Sequence, residues 1–237
     1  MTEALLEVEG LEAQYGRARI LHGVTLSLRR GEVLALMGRN GAGKSTTIKA
    51  VMGLVPPSGG TVRFAGTRID GREPYEIARL GLGYVPEERR IFSELTVMEN
   101  LAVGARPPRK GAPVWTPERL FALFPNLAAM RDRPGAAMSG GEQQMLTIAR
   151  TLMGNPGALL LDEPSEGLAP VIVQAMARTI LALKSEGLSI LLSEQNLHFA
   201  GSVADRAAII EKGEIRFEGT MAALKAYDTL RTRYLSV

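Results

Sequence analysis

The sequence VLALMGRNGAGKSTTIKAVMG, at residues 33–53, predicts a buried strand, a glycine-rich loop and a helix in direct succession. The apolar run 33–37 predicts the strand, and the helix is expected from about residue 44 to 52, ending before a glycine. The loop fits the pattern G-x-x-x-x-G-K-[ST], with Gly38, Gly43, Lys44 and Ser45 at the fixed positions. A strand that leads through such a loop into a helix is typical of an α/β fold.

The glycine-rich loop predicts a phosphate-binding site. Its glycines allow successive N–H groups to turn inward, and the helix that follows adds the positive end of its dipole. We expect Lys44 to reach the β- and γ-phosphates of a nucleotide and the Ser45 hydroxyl to ligate Mg²⁺. The other loop residues expected at the nucleotide are Gly38, Asn40, Gly41, Gly43 and Thr46. A turn that binds nothing is the alternative, and the strand–loop–helix context disfavours it.

The rest of the chain alternates predicted strands and helices. Strands are predicted at residues 5–8, 24–28, 61–64 (after the turn PPSGG), 158–161 and 189–192. Residues 88–155 contain no convincing strand and predict helices broken by prolines, as in an inserted helical subdomain. A helix at 170–185, a hairpin turning at 212–213 and a short final helix follow. We expect an α/β fold with a mainly parallel sheet covered on both faces and an antiparallel β portion near the N-terminus.

The composition excludes several functional classes. Hydrophobic residues make up 46% of the 237 residues and charged residues 22%, so the chain can bury a sizeable core. The 28 basic and 25 acidic residues are interspersed, which argues against a basic nucleic-acid-binding arm. With no cysteine and two histidines, disulfide scaffolds, cysteine nucleophiles and histidine-rich metal sites are excluded. No apolar run approaches the roughly 18 residues of a membrane helix, so we expect a soluble, intracellular protein.

Two adjacent carboxylates, Asp162 and Glu163, follow the apolar strand predicted at residues 158–161. Ligands of α/β folds bind at the carboxyl ends of the parallel strands. We expect Asp162 to hold Mg²⁺ through its water shell and Glu163 to orient or deprotonate an attacking water. A solvated pair that only caps the strand is the alternative, which the phosphate-binding loop in the same chain makes the weaker one.

A pair of glycines begins another predicted helix, in the segment MSGGEQQ at residues 138–144. Ser139 and Glu142 have the spacing of a capping box, which explains both of them but neither Gly140 nor Gly141. Glycines at a helix N-terminus lower helix stability but allow an anion to approach closely, which predicts a second phosphate site. We therefore expect an ATP clamped between two copies or two related subunits.

Together these elements resemble the nucleotide-binding subunit of ATP-binding-cassette (ABC) transporters, over essentially the whole chain. The motifs follow the family order at residues 38–46, 138–143, 159–163 and 165–170. The resemblance implies a P-loop NTPase core in one domain, residues 1–237, whose helical subdomain carries the signature motif. It also implies two cassettes packed head to tail, each ATP lying between one P-loop and the other cassette's Ser139, Gly140 and Gly141.

Three further positions take roles from this resemblance. Tyr15 falls where the family stacks an aromatic ring on adenine, although an aromatic near a strand end also occurs as ordinary core. Glu87 and Gln195 depart from the family pattern: they replace the glutamine that contacts the γ-phosphate and the switch histidine. Gln195 can donate a hydrogen bond but cannot carry a proton as histidine does, so Glu163 becomes the main candidate for activating water.

The segments VPEERRIF, SEGLAP and LLSEQN resemble one ATPase subunit of branched-chain, or hydrophobic, amino acid importers, with urea and amide importers as near neighbours. The resemblance implies ATP and Mg²⁺ as cofactors and a second cassette, non-identical or identical, as partner. It also implies two membrane-embedded permeases fed by a periplasmic solute-binding protein, and a position on the cytoplasmic face of the inner membrane. Residues 89–92 are expected to contact the permease. The alternative is that Ile91 and Phe92 belong to the local hydrophobic core.

Two other classes are less well supported. A soluble ABC-type ATPase of DNA repair or translation typically carries a coiled-coil insertion or two cassettes, and no sufficiently long heptad run is present. The weak net charge of +3 also argues against a nucleic-acid partner. A P-loop kinase or GTPase would leave SGGEQQ unexplained, and no Asn-Lys-x-Asp sequence is present for guanine recognition.

Overall fold

The computed structural model describes residues 4–226, which form ten β-strands and nine α-helices. The strands are β1 (Ala4–Tyr15), β2 (Ala18–Arg29), β3 (Val33–Met37), β4 (Pro57–Phe64), β5 (Thr67–Arg68), β6 (Leu82–Val85), β7 (Ala158–Asp162), β8 (Ser189–Glu194), β9 (Arg206–Glu211) and β10 (Glu214–Thr220). The helices are α1 (Lys44–Val51), α2 (Pro74–Leu80), α3 (Val97–Gly104), α4 (Pro117–Leu123), α5 (Pro125–Ala128), α6 (Gly140–Leu152), α7 (Pro170–Ser185), α8 (Leu197–Val203) and α9 (Met221–Ala226).

The strands form two sheets. The smaller, antiparallel sheet has the order β2-β1-β4-β5. The larger has the order β10-β9-β3-β8-β7-β6, in which all neighbours are parallel except β9 and β10. The expected α/β fold, with a mainly parallel sheet and an antiparallel portion near the N-terminus, is confirmed.

The central strands β3, β7 and β8 are buried along their whole length because the large sheet is covered on both faces. On one face, Leu160 shares a core with Ile48 of α1 and with the small sheet. On the other, Leu161 shares a core with Ile148 of α6 and Ile180 of α7. This arrangement leaves the carboxyl ends of β3, β7 and β8 side by side at one edge, with α1 beginning there.

Most predicted elements are present, and several strands are longer than predicted. The helix at 170–185 has the predicted bounds, and residues 88–155 hold α3, α4, α5, α6 and a short 3₁₀ helix but no described strand. The predicted turn PPSGG was wrong, because β4 already begins at Pro57. Gly60 has φ 85° and lies so close to Gly10 of β1 that any Cβ would collide with that backbone. The glycine is therefore required by strand pairing rather than by a turn.

Helix α2 is not among the helices predicted from the sequence. Its start carries two local signals: Pro74 at the first turn and a capping box between Glu73 and Glu76. None of the described helices combines the length and the apolar composition that crossing a bilayer requires.

Candidate nucleotide site

At several positions, the loop between β3 and α1 has a backbone conformation or a close contact that only glycine accommodates. Gly41 and Gly43 have φ of 77° and 114°, in the left-handed region. A Cβ on Gly38 would lie 2.5 Å from the carbonyl oxygen of Ile210 in β9. The glycines thus let the loop curl back over the sheet edge, so that it forms a backbone-lined concavity at the start of α1.

Lys44, the first residue of α1, points into this concavity. Its side chain is 3% exposed, and its Nζ donates to the carbonyl oxygens of Gly38 (2.8 Å) and Arg39 (3.1 Å). The same Nζ lies 3.1 Å from Oε1 of Glu163. The predicted phosphate-binding cation and the predicted water-activating carboxylate are therefore in direct contact.

Asp162 is the last residue of β7, and its carboxylate accepts hydrogen bonds from hydroxyl groups of neighbouring elements. Its Oδ1 accepts from Oγ of Ser45 in α1 (2.8 Å) and from Oγ of Ser193 in β8 (2.7 Å). The hydroxyl of Tyr84 in β6 lies 3.5 Å from Oδ2, and burial together with the negative Asp162 raises the pKa of this tyrosine. A carboxylate beside a hydroxyl is an oxygen donor set of the kind that Mg²⁺ prefers, so Ser45 and Asp162 fit the predicted metal site.

Glu163 follows β7 in a left-handed conformation, with φ 45°. Its N–H donates to both the carbonyl oxygen and the Oγ of Ser193, at 3.1 Å each. A non-glycine residue in this region stores about 1–3 kcal/mol of strain, and such residues cluster at functional sites. The neighbouring strand thus holds the Glu163 backbone in the conformation in which its carboxylate contacts Lys44.

Glu87 and Gln195 lie on two loops near these residues. Glu87 lies beyond the end of β6, and its side chain is exposed. The pKa of its carboxyl is raised, mainly because the carboxyl is partly desolvated and in addition because the negative charges of Glu163 and Asp162 repel it. Gln195 follows β8, and its Nε2 donates to Oε2 of Glu166 at 2.9 Å. The two departures from the family pattern therefore stand on loops that leave the same sheet edge.

The signature segment lies apart from the phosphate loop. Ser139 caps α6: its Oγ accepts from the N–H of Glu142 (3.4 Å), whose Oε2 accepts from the N–H of Ser139 (2.7 Å). The cleft lined by Arg39 and Asn40 includes none of the three residues Ser139, Gly140 and Gly141 among its described lining. Within one chain these two predicted phosphate-binding elements are not brought together.

Packing within the chain restricts side chains at Gly141, and much less at Gly140, whose neighbour is the movable end of a long side chain. A Cβ on Gly141 would lie 2.9 Å from Cγ2 of Ile172 in α7, and one on Gly140 would collide with the guanidinium of Arg89. The sequence argument missed this reason, since neither neighbour is close in the chain.

Tyr15 and residues 89–92 differ in exposure. Tyr15, at the end of β1, is 50% exposed, so it is not a core residue. Phe92 is 48% exposed, whereas Ile91 packs against the helical side of the core. The alternative of local core is thus correct for Ile91 and wrong for Phe92.

Comparison with known proteins gives a consistent assignment. The family model described as "ABC transporter" matches residues 21–166, which is more than half of the chain. The chain belongs to the ABC transporter ATPase family. It is 41% identical to the high-affinity branched-chain amino acid transport ATP-binding protein BraG of Pseudomonas aeruginosa, over 98% of this chain and 99% of that protein.

One further relative and one solved structure are also similar to this ABC ATPase. The lipopolysaccharide export system ATP-binding protein LptB of Haemophilus influenzae is 34% identical, over 98% of this chain and 97% of that protein. The crystal structure of the ADP conformation of an ATP-binding cassette of an ABC transporter superposes with TM-score 0.81, at 29% identity and 94% coverage of both chains. As a member of this family the chain binds ATP and hydrolyses it to power transport. The two relatives named above are ATP-binding proteins of transport systems rather than of DNA repair or translation.

Two residues of the site of this ABC ATPase were not predicted. Ser193 contacts both Asp162 and the Glu163 backbone, and Tyr84 lies beside Asp162. The available signal for Ser193 was its position directly after the apolar residues of the predicted strand, at the carboxyl end where ligands bind. No comparable signal singles out Tyr84.

Proposed function

We propose that this ATPase is one energy-coupling subunit of an importer for branched-chain amino acids. The observation that carries the proposal is the 41% identity to BraG over nearly the full length of both chains. The glutamate at position 87 and the glutamine at position 195 support it, since both belong to the segments that resemble this importer subfamily. The proposed cargo differs from that of the LptB relative, which is named for lipopolysaccharide export.

In the proposed reaction, Lys44 and the residues around it have separate roles. Lys44 neutralises the β- and γ-phosphates, and Glu163, in contact with it, accepts the proton of the attacking water. Gln195 donates a hydrogen bond to the γ-phosphate, and Glu87 occupies the position of the glutamine that contacts this phosphate. Bound Mg²⁺, held by Ser45 and Asp162, would neutralise charge on the phosphates.

The remaining assigned residues bind the nucleotide. Gly38, Asn40, Gly41, Gly43 and Thr46 cradle its phosphates, and Tyr15 stacks on adenine, for which its exposed ring is suited. Ser139, Gly140 and Gly141 complete the site of a second cassette's ATP. We infer that this second cassette is a non-identical subunit, in keeping with the one-subunit resemblance.

A groove beside α2 and α3 supports a membrane partner. The exposed side chains of Leu54, Tyr75, Phe92 and Val103 line it. The positively charged side chains that line the groove are those of Arg79, Arg106, Arg109 and Arg150. No Asp or Glu is among its described lining residues. We propose that a cytoplasmic segment of one permease, with apolar and acidic side chains, occupies this groove. The ATPase then lies on the cytoplasmic face of the inner membrane, and a periplasmic solute-binding protein delivers cargo to the permeases.

The test replaces the chain by its Glu163→Gln variant in cells that normally express it. Uptake of labelled leucine, isoleucine and valine should fall to background, while Glu9→Gln, which removes an exposed carboxylate on β1, should retain most uptake. Unchanged uptake in Glu163→Gln, together with loss of ATP hydrolysis in the purified variant, would overturn the cargo assignment. Mass spectrometry of the tagged complex from gently solubilised membranes should find two permeases and a second cassette; a homodimer would refute the non-identical partner.

A further inference from the structure

The buried carboxylate of Glu194 joins two loops of the site. Glu194 ends β8 and is 2% exposed. Its Oε1 accepts from the N–H of Ser165 at 3.3 Å and from the Ser165 hydroxyl. Its Oε2 accepts from the N–H groups of Gln195 and Asn196, at 3.1 Å each. One side chain therefore fastens the loop after Glu163 to the loop that begins α8.

The chemistry of this junction requires a carboxylate. All the described donors to Glu194 are neutral groups, and burial raises the pKa of its carboxyl against the opposing effect of these hydrogen bonds. Burying a carboxylate without a cation is costly. An ionised carboxylate is, however, the side chain that accepts on both oxygens, whereas a glutamine amide accepts on one and donates from the other.

The two joined loops carry groups that face the nucleotide site. Glu166 follows Ser165 directly and accepts from Nε2 of Gln195 at 2.9 Å, which adds a second link between the loops. Ser165, Glu166 and Gln195 line the same cleft as Arg39 and Asn40 of the phosphate loop. A displacement of the Ser165 loop is therefore transmitted to Gln195 by hydrogen bonds at both ends.

We propose that Glu194 is a positioning residue that makes the Ser165 loop and Gln195 move as one unit relative to the γ-phosphate. The proposal rests on the role in hydrolysis proposed above for Gln195. Contacts made by the Ser165 loop then reach Gln195 through the Glu194 carboxylate, and the rate of hydrolysis responds to them.

The test is Glu194→Gln in the full chain, purified with its membrane partners. The amide turns a donor toward one of the loops, so the kcat for ATP hydrolysis should fall about ten- to a hundredfold, the size of effect that slight misplacement produces. The KM for ATP should stay within about twofold, because the phosphate loop is untouched. Glu32→Gln is the matched control: Glu32 is 8% exposed, precedes β3 at the opposite end of the sheet, and its replacement should leave kcat unchanged.

A double-variant comparison separates positioning from general structural damage. If Glu194 acts through Gln195, then adding Glu194→Gln to Gln195→Ala should change kcat by less than about twofold. Ser165→Ala, which removes one donor, should lower kcat in the same direction, and this loss should also vanish in the Gln195→Ala background. An unchanged kcat in Glu194→Gln, or losses that multiply in the double variant, would overturn the proposal. These rates do not depend on the cargo, so a failed amino acid assignment would leave the result interpretable.

Discussion

Glu163→Gln should stop ATP hydrolysis while leaving ATP binding intact, because the two activities depend on different atoms around Lys44. Nζ of Lys44 is held by the carbonyl oxygens of Gly38 and Arg39, and these contacts do not involve Glu163. The Glu163 carboxylate adds a third contact at 3.1 Å and, in the proposed reaction, the proton acceptor. Glutamine keeps the shape of the side chain and removes its basicity.

The expected magnitudes follow from this geometry. Loss of a general base lowers kcat by about 10²- to 10⁴-fold, or about 3–5 kcal/mol at 1.36 kcal/mol per tenfold. ATP affinity should hold or rise, since the ammonium no longer shares its charge with a carboxylate. Breaking a buried ion pair costs about 3–5 kcal/mol of stability; because Lys44 keeps two carbonyl acceptors, we expect less, about 1–3 kcal/mol.

Three measurements on one preparation check these expectations. Phosphate release under single-turnover conditions gives the rate, equilibrium dialysis of labelled ATP gives the affinity, and thermal unfolding without nucleotide gives the stability. Glu9→Gln is the control, since it removes an exposed carboxylate on β1, outside the assigned site, and should leave the rate nearly unchanged. Hydrolysis by Glu163→Gln within about fivefold of the original chain, well short of the loss expected for a general base, would refute the assigned role.

Three other substitutions test neighbouring features. Lys44→Ala should abolish detectable ATP binding in the same dialysis assay, and an unchanged affinity would refute the whole site. Gly38→Ala places a Cβ 2.5 Å from the Ile210 carbonyl oxygen and should lower stability by about 1–3 kcal/mol, seen as a lower Tm. Glu87→Gln should strengthen ATP binding up to about fivefold at neutral pH. Because the pKa of Glu87 is raised, it takes up a proton early as pH falls, so the advantage should shrink at acidic pH; a constant ratio would contradict this.

The sequence was sufficient wherever the cause of a structure is local. The phosphate loop is fixed by consecutive residues, because Gly41 and Gly43 need left-handed backbone and Lys44 begins the helix. The apolar runs of β3, β7 and β8 were predicted because strands buried on both faces contain little else. The PPSGG segment was predicted wrongly because its deciding contact, Gly60 against Gly10, joins residues fifty positions apart.

The same difference between local causes and contacts of residues distant in the sequence applies to the site. Asp162 and Glu163 could be predicted from their position at the end of an apolar strand, and Ser45 from the loop pattern. That Ser193 would contact Asp162 depends on β8 lying between β3 and β7, an order that no local pattern records. The link from Ser165 through Glu194 to Gln195 likewise exists only once those strands are neighbours.

The signature glycines show that one residue can satisfy an internal and an external requirement together. A Cβ on Gly141 would press on Ile172 whether or not any phosphate approaches, whereas one on Gly140 would meet only the movable guanidinium of Arg89. Packing therefore accounts for Gly141 but not for Gly140, so the inference to a shared ATP stays a prediction that rests mainly on Gly140. What remains is the capping arrangement: Ser139 and Glu142 satisfy each other's N–H groups, while Gly140 and Gly141 carry no side chain over the positive end of α6. An anion arriving from a second cassette would meet backbone N–H groups there, with the guanidinium of Arg89 beside them.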